Sequence, residues 1–573
     1  MRVLPLLLVL LAGCGEVWND PYPAADRGGN IVYSVFADRP KHLDPAQSYA
    51  SDEAVFTRQV YEPPLQYHYL KRPYELIPLT AAEVPRPKLI EKGGSTYSVY
   101  EIRIRSGIRY QPHPAFVSEN QNLQEKRIEG LKSPYDLPLA TRELTADDYI
   151  YQIKRLAHPQ LHTPIFGLMS EYIVGLKEYA ERLKDAVKPG QWLDLREHAI
   201  EGVTRVDAYT YRVMLKGRYP QFVYWLAMPF FAPMPWEAEK FFHQGGMAEK
   251  NFTLDWWPVG TGAFMLSQND PNSRMVLERN PNFRGEAYPL AGEAGDAARG
   301  LLADAGKTMP FIDKAVYTRE KEAIPLWNKF LQGYYDLSGI GSDNFDQAVR
   351  VSLEGDAALT PEMESKGIRL DTTIAPTIYY LGANWLDPVV GGSQGGEAAE
   401  RARKLRQALA IAVDWEEYLS IFANGRGVPS YSPLAPGIFG YREGAEAINP
   451  VTHEWKDGKA RRRPIEAARE LLAEAGYPDG RDAGTGQPLV LYLDTTSRGP
   501  GDKAVMDWWR KQFAKLPVQF EPRQTDWNRF QEKLRKGSTQ LFIVGWNADY
   551  PDPENFMFLL HGPQSRVKSQ GEN

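Results

Sequence analysis

"LFIVGWNADYPDPENF", residues 541–556, opens on four apolar residues and closes on a stretch that no strand accommodates. Leu541 to Val544 has the pattern of a buried strand. Gly545 and Trp546 lead out of it, and Asp549 and Asp552 follow. In α/β sheets ligands gather just beyond the strand ends, so this exit marks a candidate site. Asp552 precedes Pro553, and the next residues read as helix. Its simplest duty is therefore an N-cap, with proline at the first helical position. Asp549 has no such local duty, which leaves a ligand contact or a loop role.

Working outward, short apolar strand-like runs alternate with amphipathic helix patterns, which points to an α/β protein with parallel or mixed sheets. "YSVYEIRIRSGIRY" (97–110) places Val99, Ile102, Ile104 and Ile108 among polar residues and reads as strand, turn, strand. "LTADDYIYQIKRL" (144–156) starts a helix at Thr145, with Asp148 completing the first-turn pattern. "ARKLRQALAIAV" (402–413) sets Leu405, Leu409 and Ala412 on one helical face. Asp414 then caps a second helix, with Glu417 at the capping-box position. "PIEAARELLAEAGYPDG" (464–480) starts at Pro464, carries Leu471, Leu472 and Ala475 as its apolar stripe, and stops at Gly476 and Pro478. Residues 118–138, 291–309 and "GGSQGG" (391–396) read as loops or insertions.

The chain has 573 residues and one cysteine, with 43% hydrophobic and 24% charged residues, room for two or three ordinary domains. A net charge of −6 over this length singles out neither nucleic acid nor an anionic surface as partner. At the start, Arg2 precedes an apolar run from Val3 to Leu11, too short to span a bilayer, and small residues follow. That is a secretory signal. It ends on Leu11-Ala12-Gly13-Cys14, which resembles a bacterial lipoprotein lipobox. The resemblance implies that Cys14 becomes the N-terminus and carries acyl chains holding a soluble domain to a membrane surface. A lone thiol is otherwise most often a small buried apolar residue. An exported chain that avoids further cysteines agrees with the lipid reading. Gly15 to Asn30, rich in Gly, Pro, Asp and Ala, reads as a tether. No later segment has transmembrane length, and "FVYWLAMPFFAPMPW" (222–236) is broken by three prolines.

In order along the chain, "HLDPAQSYASDEAVFTRQVYEPPLQY" (42–67), "YEIRIRSGIRYQ" (100–111), "LTADDYIYQIKRL" and "WPVGTGAFML" (257–266) with "RNPNFRGE" (279–286) carry a further resemblance. "RKLRQALAIAVDWEEYL" (403–419), "AARELLAEAGYPDG" (467–480) and "GWNADYPDPENF" (545–556) continue it. Together these resemble the family 5 solute-binding proteins of ABC transporters, the oligopeptide- and dipeptide-binding family. The resemblance implies an α/β, two-lobed periplasmic-binding-protein fold: hinged lobes that close over ligand, with an extra subdomain on lobe one. Its expected division is 1–13 signal peptide, 14–29 tether, 30–65 and 195–285 lobe one, 66–194 the subdomain, and 286–573 lobe two. Relatives return to lobe one after the aspartate-rich motif; this sequence ends at Asn573 on "SRVKSQGEN" without that return.

The implied function is capture of a peptide or other small solute outside the cytoplasm and delivery to an ABC permease, with no catalysis, cofactor, metal or nucleic acid, by a monomer. A sensor or scaffold lipoprotein of the same fold is the alternative. Asp549 falls where peptide-binding relatives pair an aspartate with the ligand's α-ammonium. Trp546 fits as an apolar wall or as a core residue, and Asn547 belongs to the same exit. Gly545 permits close backbone approach, so an extended peptide would add to the sheet edge. On the other lobe, relatives offer contacts around "ADRPKHLDP" (37–45), and this sequence has Arg39, Pro40 and Lys41 there. That basic trio suits an acidic or non-peptide ligand better than an amine.

Rival chemistries find little support. Gly391-Gly392-Ser393-Gln394-Gly395 matches G-x-S-x-G but lacks the strand and helix of a nucleophile elbow. "GKT" (306–308) has Leu301 where a phosphate loop needs glycine. His158 and His162 are separated by Pro159 and have no acidic partner. Gly260-Thr261-Gly262 reads as a tight turn, and "KARRR" (459–463) as a solvated turn before a helix.

Overall fold

A computed structural model of the chain describes residues 22–567 except 27, 189, 352–356, 498, 500 and 566. The signal segment, Cys14 and the terminal hexapeptide lie outside the described residues. Two lobes of mixed α/β structure are built on separate sheets.

The first lobe holds a four-stranded sheet in the order Ile31–Phe36, Lys314–Arg319, Arg274–Arg279, Phe264–Asp270. Ile31–Phe36 and Lys314–Arg319 pair in parallel although most of three hundred residues separate them, and the remaining pairs are antiparallel. The chain stays with this sheet through Arg319, past residue 286, where the second lobe is expected to start. A second sheet, in the order Lys88–Lys92, Ser95–Arg103, Thr210–Lys216, Val203–Asp207, is wholly antiparallel. It carries the expected subdomain past residue 194, to Lys216. Both sheets share one apolar core, from Phe36 through Tyr100 and Trp225 to Leu277.

Within Ser95–Arg103 the inward residues are Tyr100 and Ile102, while Val99 lies on the opposite face. The apolar alternation read at 97–110 was out of phase at Val99, and a slip of one residue reverses every side chain in a strand. Gly107, at φ +81, makes the expected turn, but only an isolated Arg109–Glu143 bridge follows in place of a second strand. The helix Ala146–Arg155 starts as its sequence predicts: Asp148 accepts from the Thr145 N–H at 2.9 Å.

The second lobe's sheet runs Thr377–Ala383, Leu541–Asn547, Val490–Thr496, Gln519–Thr525, with only the first pair antiparallel. Helices Gly396–Ala412, Ile465–Glu474 and Asp502–Phe513 contribute Leu405, Leu472, Trp509 and Phe513 to its core. Asp414 accepts from the Glu417 N–H at 2.9 Å, as expected of a cap. Glu417 does not close a capping box; its carboxylate accepts from Trp508 Nε1 and Gln512 Nε2 and ties two helices together. "KARRR" is no solvated turn. Lys459–Arg462 pairs with His453–Lys456 in a hairpin, and Arg462 donates to the Ile411 and Val413 carbonyls and to Glu416.

Gly260 and Gly262 serve close packing rather than a turn. A Cβ at Gly260 would lie 1.9 Å from the Val60 carbonyl oxygen, and one at Gly262 would lie 2.4 Å from that of Gln59. The glycines let this segment cross the end of helix Ser51–Val60 at backbone contact.

Candidate ligand site at the lobe seam

The strand Leu541–Asn547 is paired along its whole length with Thr377–Ala383, but with Val490–Thr496 only at Leu541 and Phe542. From Ile543 onward it has no strand neighbour on that side among the described residues. Gly545 sits opposite Tyr379, whose ring atoms would lie 2.7–3.2 Å from an added Cβ. Its missing side chain makes room for that ring. Asn547 is exposed, and its Oδ1 accepts from the Thr377 hydroxyl at 2.7 Å, closing the end of the pair.

Beyond the strand, one residue that sequence reasoning missed organises the turn. Asn555, fully buried, donates from Nδ2 to Asp549 Oδ2 at 2.9 Å. Its Oδ1 accepts from the Asp549 N–H at 2.9 Å and from Trp546 Nε1 at 3.0 Å. Asp552 caps the following short helix, accepting from the Glu554 N–H at 2.9 Å, as the sequence indicates. Asp549 is thus aimed rather than left loose.

The other lobe meets it there. Tyr49 donates its hydroxyl to Asp549 Oδ2 at 2.7 Å, and its ring lies edge-on to Trp546 at 5.8 Å and to Phe230 at 5.4 Å. Burial pushes the Asp549 carboxyl above its ordinary range, against the hydrogen bonds from Asn555 and Tyr49 and the charge of Arg58. No ion pair to Asp549 exists among the described residues. A half-buried carboxylate with no ion pair is a candidate partner for a ligand cation, which would offset the cost of its burial.

Arg39 and Lys41, but not Pro40, face a different part of the second lobe. The Arg39 carbonyl accepts from Asn528 Nδ2 at 3.4 Å, on the helix Trp527–Arg535. Lys41 is held below its ordinary pKa by burial and by Arg535. Pro40 lines a small first-lobe cavity with Leu43, Trp256 and Met275. Glu53 links this trio to the aspartate end. Its Oε1 accepts from the Lys41 and His42 N–H groups, and its Oε2 from those of Tyr49 and Ala50.

Asp52, beside Glu53, accepts from Trp527 Nε1 at 3.2 Å across the same seam. Burial, with repulsion from Glu53, pushes its carboxyl up to about 7. An acid whose folded pKa is raised costs stability once ionised, so Asp52 destabilises the folded chain as pH rises from the ordinary carboxylate range through 7. Asp52→Asn is expected to melt higher than the parent at pH 8 and like the parent at pH 4. A melting difference of equal size at both pH values would contradict the assignment.

Residues 141–566 match the model of bacterial extracellular solute-binding proteins, family 5 Middle. The chain belongs to this family. Among curated relatives of this family 5 protein is the periplasmic oligopeptide-binding protein OppA of Salmonella typhimurium, 25% identical over 72% of this chain and 63% of the relative. The dipeptide-binding protein of Escherichia coli is 24% identical over 76% and 65%. Heme-binding protein A of Haemophilus influenzae is 23% identical over 74% and 62%. The chain therefore matches somewhat under two thirds of the length of these relatives. Among solved structures, DppA of Helicobacter pylori in complex with peptide STSA superposes with a TM-score of 0.64 at 18% identity, over 95% of this chain and 83% of that one. The murein tripeptide binding protein MppA of Escherichia coli gives 0.61 at 17% identity, over 95% and 83%. These likenesses establish the two-lobed fold.

Proposed function

We propose that this family 5 protein captures a peptide between its lobes and delivers it to an ABC importer. It would act outside the cytoplasm as a monomer, anchored by lipid on Cys14. The observation that carries the reading is Asp549, a half-buried carboxylate at the seam, aimed by Asn555 and bonded across the seam by Tyr49, with no ion pair among the described residues. Closure buries this charge, and a ligand ammonium offsets the cost; a ligand shifts the lobes only by its differential affinity for the closed arrangement. The half-open strand edge from Ile543 offers backbone groups to an extended peptide. Relatives named for oligopeptides and dipeptides support the same class. No helix among the described residues is long and apolar enough to cross a membrane.

The relative named for heme favours a second reading, a non-peptide solute, which the basic trio at Arg39 to Lys41 also suits. Native mass spectrometry of the purified protein separates the two. A bound peptide mass is expected, together with a higher melting temperature on adding short peptides; saturation at one hundred times Kd stabilises by about 2.7 kcal/mol. A heme or other non-peptide mass, with no peptide shift, would favour the second reading. Loss of peptide uptake on deleting the gene distinguishes an importer component from a sensor.

A further inference from the structure

The segment that carries Asp549 presents two more carboxylates to the first lobe. Glu554 Oε2 accepts from the Tyr219 hydroxyl at 3.1 Å across the seam and from the Tyr550 hydroxyl at 3.0 Å. Burial raises its pKa, the two hydroxyls oppose that, and Asp552 adds repulsion. Neither Glu554 nor Asp552 has an ion pair among the described residues.

The surroundings are aromatic. Tyr219 stacks on Tyr172 at 3.8 Å and 7°, and Tyr550 stacks on Tyr224 at 5.5 Å and 2°. Tyr172 and Tyr224 are partly exposed, so the site has an open side. Toward Asp549 stands Tyr67, whose buried hydroxyl has no hydrogen-bond partner. Its titratable neighbours are Tyr224, Asp549, Arg58 and Tyr74. Arg58, exposed on its helix, is the one cation acting on this row, and it acts on the Asp549 end. A carboxylate held by tyrosine hydroxyls and without an ion pair is the chemistry that takes an ammonium or guanidinium through charge-assisted hydrogen bonds.

We infer that Glu554 is a specificity-determining residue that selects peptides bearing a lysine or arginine side chain close to the amino terminus. The inference rests on the peptide reading above and narrows it. The α-ammonium occupies Asp549, and the side-chain cation reaches Glu554, five residues further along the same segment, with Tyr550 between the two carboxylates. A neutral side chain there leaves Glu554 desolvated with hydroxyl partners alone.

Calorimetry with Lys-Ala-Ala and Ala-Lys-Ala, against the same peptides with norleucine for lysine, tests this. The unaltered protein is expected to prefer lysine in at least one position by about tenfold, the scale of one charge-assisted bond. In Glu554→Gln that preference is expected to fall below about twofold, with lysine peptides weakened and norleucine peptides bound as tightly as before or more tightly. Equal affinity for lysine and norleucine peptides in the unaltered protein overturns the inference alone and needs no variant. Survival of the preference in Glu554→Gln overturns it too. Binding of neither set overturns both the inference and the peptide reading.

Discussion

Asp549→Ala is expected to weaken binding of a free-amino peptide by about 10- to 100-fold, the range given by a net charge-assisted hydrogen bond of about 1.5–3 kcal/mol. Acetylating the peptide's amino terminus removes the same interaction from the other side. In a double-mutant cycle the acetylated peptide should therefore bind the parent weakly and the variant no more weakly still. The pH dependence has a defined sign. Burial raises the Asp549 pKa in the empty protein, and an ammonium binds only the ionised form. A proton competes with the ligand, so affinity declines as pH falls through the raised pKa, and binding near it releases protons. Titration in buffers of different ionisation enthalpy reads that release directly. If Asp549→Ala bound free and acetylated peptides as the parent does, the ammonium assignment would be wrong.

What the sequence makes legible here is mostly what lies a few residues apart. Thr145 with Asp148, Asp414 with the Glu417 N–H, and Asp552 with the Glu554 N–H are readable because both partners fall within one turn of chain. The strand at Leu541 is likewise readable from its apolar run. The site is not local. Tyr49 and Asp549 are five hundred residues apart, and no periodicity links them. Asn555 looked like one more polar residue of a helix start, yet it holds both Asp549 and Trp546. Gly545 reads in the sequence as a place for close approach of a peptide backbone, and what the structure sets against it is the ring of Tyr379, a partner on another strand. The pairing of Lys314–Arg319 with Ile31–Phe36 is equally out of local reach, since it depends on the global path of the chain. Fold class follows from local patterning, and site geometry from long-range pairing.

Arg155→Met is expected to destabilise the first lobe by about 3–5 kcal/mol, the cost of removing one partner from a buried ionic network. Arg155 is 1% exposed and forms two hydrogen bonds to Asp44, at 2.6 and 2.9 Å, and one to Glu239 at 2.9 Å. Asp44 and Glu239 are themselves buried, so the variant strands two carboxylates in the core. For a unit of this size the loss corresponds to a melting shift on the order of 10 °C. Burial pushes Glu239 up, but Arg155, His243 and the Tyr151 hydroxyl together hold it below the ordinary range. Its contribution is thus present above the unfolded pKa and lost as pH falls through the folded one. Without Arg155 the stranded carboxylates take up protons, so the variant's deficit should be larger at pH 8 than at pH 5. The network also bears on binding. Asp44 accepts from the Ala46 N–H, and its carbonyl accepts from the Gln47 and Ser48 N–H groups, which shapes the turn leading to Tyr49. Loss of Arg155 should therefore cost ligand affinity as well as stability. Replacing Arg155, Asp44 and Glu239 together by apolar residues of similar volume should recover much of the stability, since no lone charge is left buried. An Arg155→Met protein melting within about one degree of the parent at pH 8 would refute this account of the core.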